Sequence, residues 1–238
     1  MKHVAVVAAT GGDLMLALRQ CLLVLSLLLI VPGSMTSAFA RSASEQGEDF
    51  SRKTVVERAR LLSEQPYAPP PQAPEALRSL DYSQYRMINF QQKAAIWGDS
   101  KSRFSIQLFA PGFLYHDLID INVVENGKSY PLRVTEKSFR VPDPEFTKVL
   151  QEVGKFAGRR LHYPLNTEDY ADEFLVFQGA SYFRGVSKGQ LYGLSARGLA
   201  IDVAGPEGEE HPIFREFWVE RPSSKSEFIV VHALLDSR

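Results

Sequence analysis

Polar and apolar positions change period along the chain, and the change divides it. Near the start, Leu22-Leu23-Val24-Leu25-Ser26-Leu27-Leu28-Leu29-Ile30-Val31 is a ten-residue stretch without a charge, preceded by Lys2 and Arg19 and closed by Pro32-Gly33. From Thr54 the spacing is helical, with Val55, Val56, Ala59 and Leu62 on one side, which predicts a short amphipathic helix opening on a Thr54-to-Glu57 capping box and ending near Gln65. Pro66 to Pro74 cannot continue that helix; it predicts an extended segment, with Tyr67 favouring packing on a surface over a free linker. From Tyr85 the period becomes two. Arg86 to Phe90 and Arg103 to Phe109 read as strands, and Ile121 to Glu125 and Lys128 to Val134 flank Asn126-Gly127, the pair best suited to a type I′ hairpin. Pro142-Asp143-Pro144 predicts a helix through Val153 that closes at Gly154. Further strands are expected at 159–163, 173–178, 181–186, 191–194, 197–203, 213–220 and 227–235. Many short strands and few helices predict an all-β chain, a large antiparallel β-sandwich or barrel.

A basic start, a short apolar core and Ala38-Phe39-Ala40 have the form of a secretory signal peptide cut after Ala40. The apolar run is well short of the ~20 residues a membrane-spanning helix needs, so no stable membrane insertion is expected after cleavage. Cleavage would leave 238 − 40 = 198 residues and remove Cys21, the one cysteine. The mature chain then depends on its core without a disulfide. Charge excludes one class: 27 basic against 28 acidic side chains give no clustered positive field for nucleic acid. The domain reading is residues 1–40 as signal, 41–79 as helix and Pro-rich segment, and 80–238 as β-sandwich. The apolar run Phe228 to Leu235 near the end wants a neighbour on each side. It is expected either to pair centrally with earlier strands or to await strands from a longer chain.

No dinucleotide, phosphate or nucleophile-elbow motif is present, the histidines show no metal-ligand spacing, and no cofactor is expected. The better signal is aromatic and charged residues alternating on strands. Strict alternation in 213–220 puts Phe214, Glu216, Trp218 and Glu220 on one face; Tyr182 and Arg184 share a face opposite Phe183; Tyr192 precedes Arg197. Rings that stack on sugar C–H faces beside groups that bond hydroxyls describe a carbohydrate site. Tyr182, Arg184, Tyr192, Arg197, Glu216 and Trp218 are therefore the carbohydrate-binding candidates, each weighed against a plain core or ion-pair role. Glu216 and Glu220 lie ~13 Å apart along an ideal strand, beyond the roughly 6.5–9.5 Å of an inverting glycosidase pair. No catalytic acid pair is assigned. Glu168, Asp169, Asp172 and Glu173 are expected to mark a solvated turn.

Long stretches occur in order that resemble one family: Leu80 to Arg86, Phe109 to Leu114, His162 to Asn166, Asp172 to Arg184, Leu191 to Asp202 and Arg215 to Pro222. The chain resembles the amino-terminal part of the osmoregulated periplasmic glucan biosynthesis proteins of the G/D family. That resemblance implies a galactose-mutarotase-like β-sandwich, followed in the family by an immunoglobulin-like domain for which this chain has no counterpart. It implies a periplasmic protein that handles a β-1,2-linked glucan with β-1,6 branches, in contact with the inner-membrane glucan synthesis machinery. Some members are inverting endo-β-1,2-glucanases whose acidic residues lie later in the large domain. The chain stops before that region, so processing by a longer form and non-catalytic binding both stay open.

Overall fold

A computed structural model describes residues 6–9, 47–98 and 102–238. Among these described residues the fold is all-β: antiparallel sheets with four short α-helices. Its strands are β1 (Val6–Ala9), β2 (Glu48–Asp49), β3 (Asn89–Phe90), β4 (Ser105–Phe109), β5 (Asp120–Glu125), β6 (Lys128–Pro131) and β7 (Phe139–Arg140), then β8 (Gly158–Thr167), β9 (Tyr170–Gln178), β10 (Tyr182–Gly185), β11 (Leu194–Arg197), β12 (Ile213–Glu220) and β13 (Val231–Asp236). The helices are α1 (Arg52–Ser63), α2 (Glu75–Arg78), α3 (Tyr82–Tyr85) and α4 (Pro144–Val153). One six-stranded sheet has the order β1-β13-β12-β5-β6-β2, and a five-stranded sheet has the order β11-β10-β9-β8-β4. Every pairing is antiparallel except β12 on β5.

Alternation builds the core between the two sheets. Ile106 and Leu108 of β4, Leu161 of β8 and Phe177 of β9 meet Ile121 and Val123 of β5, Phe217 and Val219 of β12, and Val231, Ala233 and Leu235 of β13. The strand β13 is buried along its whole length and paired on both edges, by β12 and by β1. Its β1 edge is supplied by a segment that cleavage after Ala40 would remove. Val6–Ala9 falls within the segment read as an export signal, and the rest of that segment, Ala40 included, lies outside the described residues.

The predicted turn and cap chemistry is present. Asn126 and Gly127 join β5 to β6 with φ of 53° and 73°, the two positive angles a type I′ turn requires. Asp143 caps α4 by accepting from the Glu145 amide at 2.9 Å, and Gly154 ends it at φ 66°. Glu168 and Asp169 form the tip of the β8–β9 hairpin. Other expectations change. The helix α1 begins at Arg52, so Thr54 is its third residue, and its hydroxyl accepts from the Ser51 amide at 3.1 Å while Glu57 pairs with Arg60. Residues 191–193 form a loop, and the strand expected over 197–203 is instead Leu194–Arg197. The Pro-rich segment is bound to the body. Ala73 donates to the His116 carbonyl at 2.8 Å, Leu118 donates to the Pro71 carbonyl at 2.9 Å, and the Arg215 guanidinium lies over Tyr67 at 5.5 Å.

Candidate functional site

The outer face of the five-stranded sheet carries the side chains that the core does not use. Cross-strand register places Gln107, Arg160, Val176, Arg184 and Ser195 in one row across all five strands. The neighbouring row contains Phe109, Gly158 and Gln178, and Arg197 stands opposite Tyr182 on β10–β11. A register shift in β9 leaves both Phe174 and Leu175 packed on the core and returns Glu173 to the outer face. There Glu173 accepts from Arg160 at 3.1 Å and from Arg184 at 3.3 Å, and Arg160 also donates to Gln107 at 2.7 Å. These bonds hold both guanidinium planes in fixed positions. Arg197 stacks 5.7 Å over Tyr182 and pairs with Glu209.

Against one end of this face stands a cleft of about 500 Å³. Its lining comes from α3, β3 and Phe139 of β7, from the segment Phe109 to Tyr115, and from Arg160 and Gln178. The sequence sets the α3 part of this lining through Asp81, whose carboxylate accepts from the Gln84 amide at 2.8 Å while the Gln84 side chain accepts from the Asp81 amide at 2.9 Å. That reciprocal cap starts α3 and turns Tyr82 and Tyr85 toward the loop 110–115. Tyr85 donates to the Ala110 carbonyl at 2.9 Å, its ring lies about 6 Å from both Phe113 and Tyr115, and Tyr82 lies 6.0 Å from Phe113. Burial pushes the Tyr85 phenol far above its ordinary range, so it stays a neutral donor. Gly112 sits at φ 144°, and a Cβ there would lie only 3.0 Å from the Leu77 carbonyl, so both backbone and space favour glycine. Tyr82 remains 60% exposed, with Arg86 lying 5.9 Å over its ring. Exposed and half-buried rings flanked by Asn89, Arg86, Arg160 and Gln178 can stack on apolar sugar faces and bond hydroxyls.

Among the six residues expected at a carbohydrate site, the structure brings Tyr182, Arg184 and Arg197 onto this face, and Tyr192 lies fully in solvent on the loop leading to β11. Glu216 and Trp218 are elsewhere. A bulge in β12 between Phe214 and Glu216 breaks the alternation, so Phe214 turns into the main core and does not share a face with them. Glu216 and Trp218 point from the opposite sheet into a second cluster roofed by α1, with Val55, Val124 and Leu234. Trp218 is 2% exposed, stacks 5.8 Å from Phe50 and has Arg58 5.7 Å over its ring. Glu216 accepts from Arg58 at 2.5 Å and Asn122 at 2.9 Å; burial raises its pKa above the usual carboxylate value, against the lowering effect of Arg58 and Asn122. α1 covers both of them there, over a sheet face that alternation alone leaves open. The cleft itself was missed: its rings come from three separate segments, and the signal that marked them was Leu80 to Arg86 and Phe109 to Leu114, read only for resemblance.

Among the described residues no group of three His, Cys, Asp or Glu is placed to hold a metal ion, and no helix is long and apolar enough to cross a membrane. Compared with known proteins, residues 50–238 match the family described as periplasmic glucan biosynthesis protein, MdoG. The chain belongs to that family. It is 52% identical over 212 residues to glucans biosynthesis protein G 2 of Shewanella oneidensis, covering 88% of this chain and 39% of the relative. It is 46% identical over 201 residues to glucans biosynthesis protein G of Shewanella frigidimarina, covering 84% and 35%. It is 46% identical over 200 residues to the Vibrio cholerae protein of the same name, covering 84% and 36%. The chain thus spans well under half the length of these MdoG-family relatives.

Proposed function

We propose that the protein acts in periplasmic glucan biosynthesis by binding the β-1,2-linked, β-1,6-branched glucan along the outer face of the five-stranded sheet, with the aromatic cleft as the principal contact. The observation that carries this reading is the cleft of about 500 Å³ lined by Tyr82, Tyr85, Phe90, Phe109, Phe113 and Tyr115 together with Arg160 and Gln178. Family membership supports a glucan as the polymer; the geometry offers a surface suited to a neutral, hydroxyl-rich chain. Tyr182, Arg184 and Arg197 extend the same face, and Tyr192 stands at its rim. We assign these residues a binding role. Glu173, the carboxylate bonded to cleft-lining Arg160, is held by two arginines and is a positioning group with no acid partner assigned. Export through a signal ending at Ala40, and contact with the inner-membrane synthesis machinery, belong to the same proposal.

The test is calorimetric titration of the protein with β-1,2-gluco-oligosaccharides, with Tyr82→Ala beside the wild type. Tyr82 is exposed and outside the core, so its loss leaves the fold intact. A roughly three- to tenfold loss of affinity is expected from removing one stacking ring. Equal affinity in both proteins moves the glucan away from the cleft, and no binding to the wild type rejects the reading.

A further inference from the structure

A second, smaller hollow lies beside the aromatic cleft. It measures about 100 Å³, and Tyr115 and Gln178 line both spaces. Its lining runs from exposed residues, Leu114 and Gly179, to buried ones, Ile119, Phe177, Phe214 and Phe217. The polar members of that lining, Tyr115, His116, Asp117 and Gln178, are half-buried. Part of their bonding capacity is spent. The His116 ring is bonded to the Phe113 carbonyl, Gln178 donates to the Tyr85 hydroxyl at 3.4 Å, and Asp117 accepts from Gln72 through Oδ1. What remains is mostly acceptor: among the described residues, Asp117 Oδ2 and the Gln178 side-chain carbonyl have no hydrogen-bond partner.

A carboxylate oxygen beside an apolar lining suits a hydroxyl donor carried on a carbon that can lie against rings. Water fills such a space poorly, because each molecule needs two to four polar partners and the phenylalanines supply none. Displacing poorly held water by an apolar group gains affinity. Size sets the upper limit. A cavity of about 150 Å³ accommodates a single benzene ring, so about 100 Å³ takes a substituent and not a sugar ring. On a glucosyl residue the secondary hydroxyls sit on the ring itself, and only C6 carries its hydroxyl one methylene out. Taking the cleft as the seat of the glucan, we propose that this pocket receives the C6 hydroxymethyl of a glucosyl residue at the Tyr115 end of the cleft, with the methylene against the phenylalanine rings and the hydroxyl donating to Asp117 Oδ2. A residue carrying a β-1,6 branch bears a second ring on that oxygen and does not enter. The pocket thereby selects unbranched backbone.

Calorimetric titration compares a linear β-1,2-gluco-oligosaccharide with two derivatives, one with every C6 hydroxyl replaced by hydrogen and one methylated at every O6. Wild type, Asp117→Asn and Tyr82→Ala are titrated in parallel. The wild type is expected to bind both derivatives roughly ten- to hundredfold more weakly than the parent, the loss for a hydrogen bond to a charged acceptor. Asp117→Asn keeps an oxygen for Gln72 and loses the charge, so the ratio of parent to deoxy affinity is expected to fall at least about threefold. Tyr82→Ala is expected to weaken all three ligands by one common factor and to leave that ratio unchanged. Equal wild-type affinity for the parent and either derivative overturns the pocket while the cleft reading stands, and that comparison needs no variant to fold. An unchanged ratio in folded Asp117→Asn overturns it too. No binding of the parent to the wild type rejects cleft and pocket together.

Discussion

Replacing Trp218 by Ala tests whether its ring is a beam or a binding platform. The side chain is 2% exposed beneath α1 and contacts Phe50 and Arg58. Truncating a buried Trp costs about 3–5 kcal/mol, part transfer and part cavity. The Phe50 stack accounts for roughly 0.5–1.5 kcal/mol of that, and Arg58, whose side chain is 45% exposed, adds about 0.5–1 kcal/mol at most. A chain of this size loses roughly 2–4 °C of Tm per kcal/mol, so the variant should melt about 6–20 °C lower. Urea unfolding followed by far-UV circular dichroism gives the free energy, since the second tryptophan, Trp97, makes fluorescence ambiguous. Glucan titration is then run where both proteins remain folded, and the affinity should be unchanged. A variant of wild-type stability with weakened glucan binding would refute the placement and restore Trp218 to the sugar site.

Other perturbations follow from single observations. Gly158→Ala puts a methyl 2.4 Å from the Phe177 carbonyl and 3.2 Å from the Phe109 ring; it should cost about 1–3 kcal/mol by forcing β8 from β9, and an unchanged urea midpoint would contradict that packing. For Glu216 the folded pKa is raised above its usual 4.5 by burial, so its contribution to stability is full below pH 4.5 and is lost as pH rises through the folded value. The Tm of wild type relative to Glu216→Gln should therefore be more favourable at pH 4 than at pH 7; a trend of the opposite sign means the Arg58 ion pair outweighs burial. His162 behaves inversely. Its folded pKa is depressed below 6.5, first by burial and then by Arg160. Its contribution is present above pH 6.5 and is lost as pH falls through the folded value, so His162→Gln should flatten the acid limb of the stability curve.

Much of the fold was legible because it depends on local pattern. The alternation in Arg103 to Phe109, the Asn126-Gly127 turn and the Asp143-to-Gly154 helix each specify their own backbone, and each is present. The site was legible only in part. Alternation states that Tyr182 and Arg184 share a face opposite Phe183, which the register bears out. It does not state which face another element will cover, and α1, arriving from residues far upstream, covers Glu216 and Trp218. It also fails at a bulge, which is how Phe214 leaves their company. Alternation could not assemble the aromatic cleft, since Tyr85, Phe109 and Gln178 meet only through the tertiary fold.

The parallel pairing of β12 on β5 also has a kinetic meaning. Glu216 lies opposite Asp120 and Glu220 opposite Val124, and four strands of the other sheet, β8 to β11, occupy the chain between them. The β8–β9 and β5–β6 hairpins close over a few residues and can form within microseconds. The pairing of β12 on β5 within the six-stranded sheet must wait for a loop of roughly ninety residues to close, and such non-local pairing slows folding. Refolding should pass through hairpins whose apolar faces, Phe177 and Val123 among them, are still wet. A chain folding from the unfolded state is then most vulnerable to aggregation in the interval before β12 arrives.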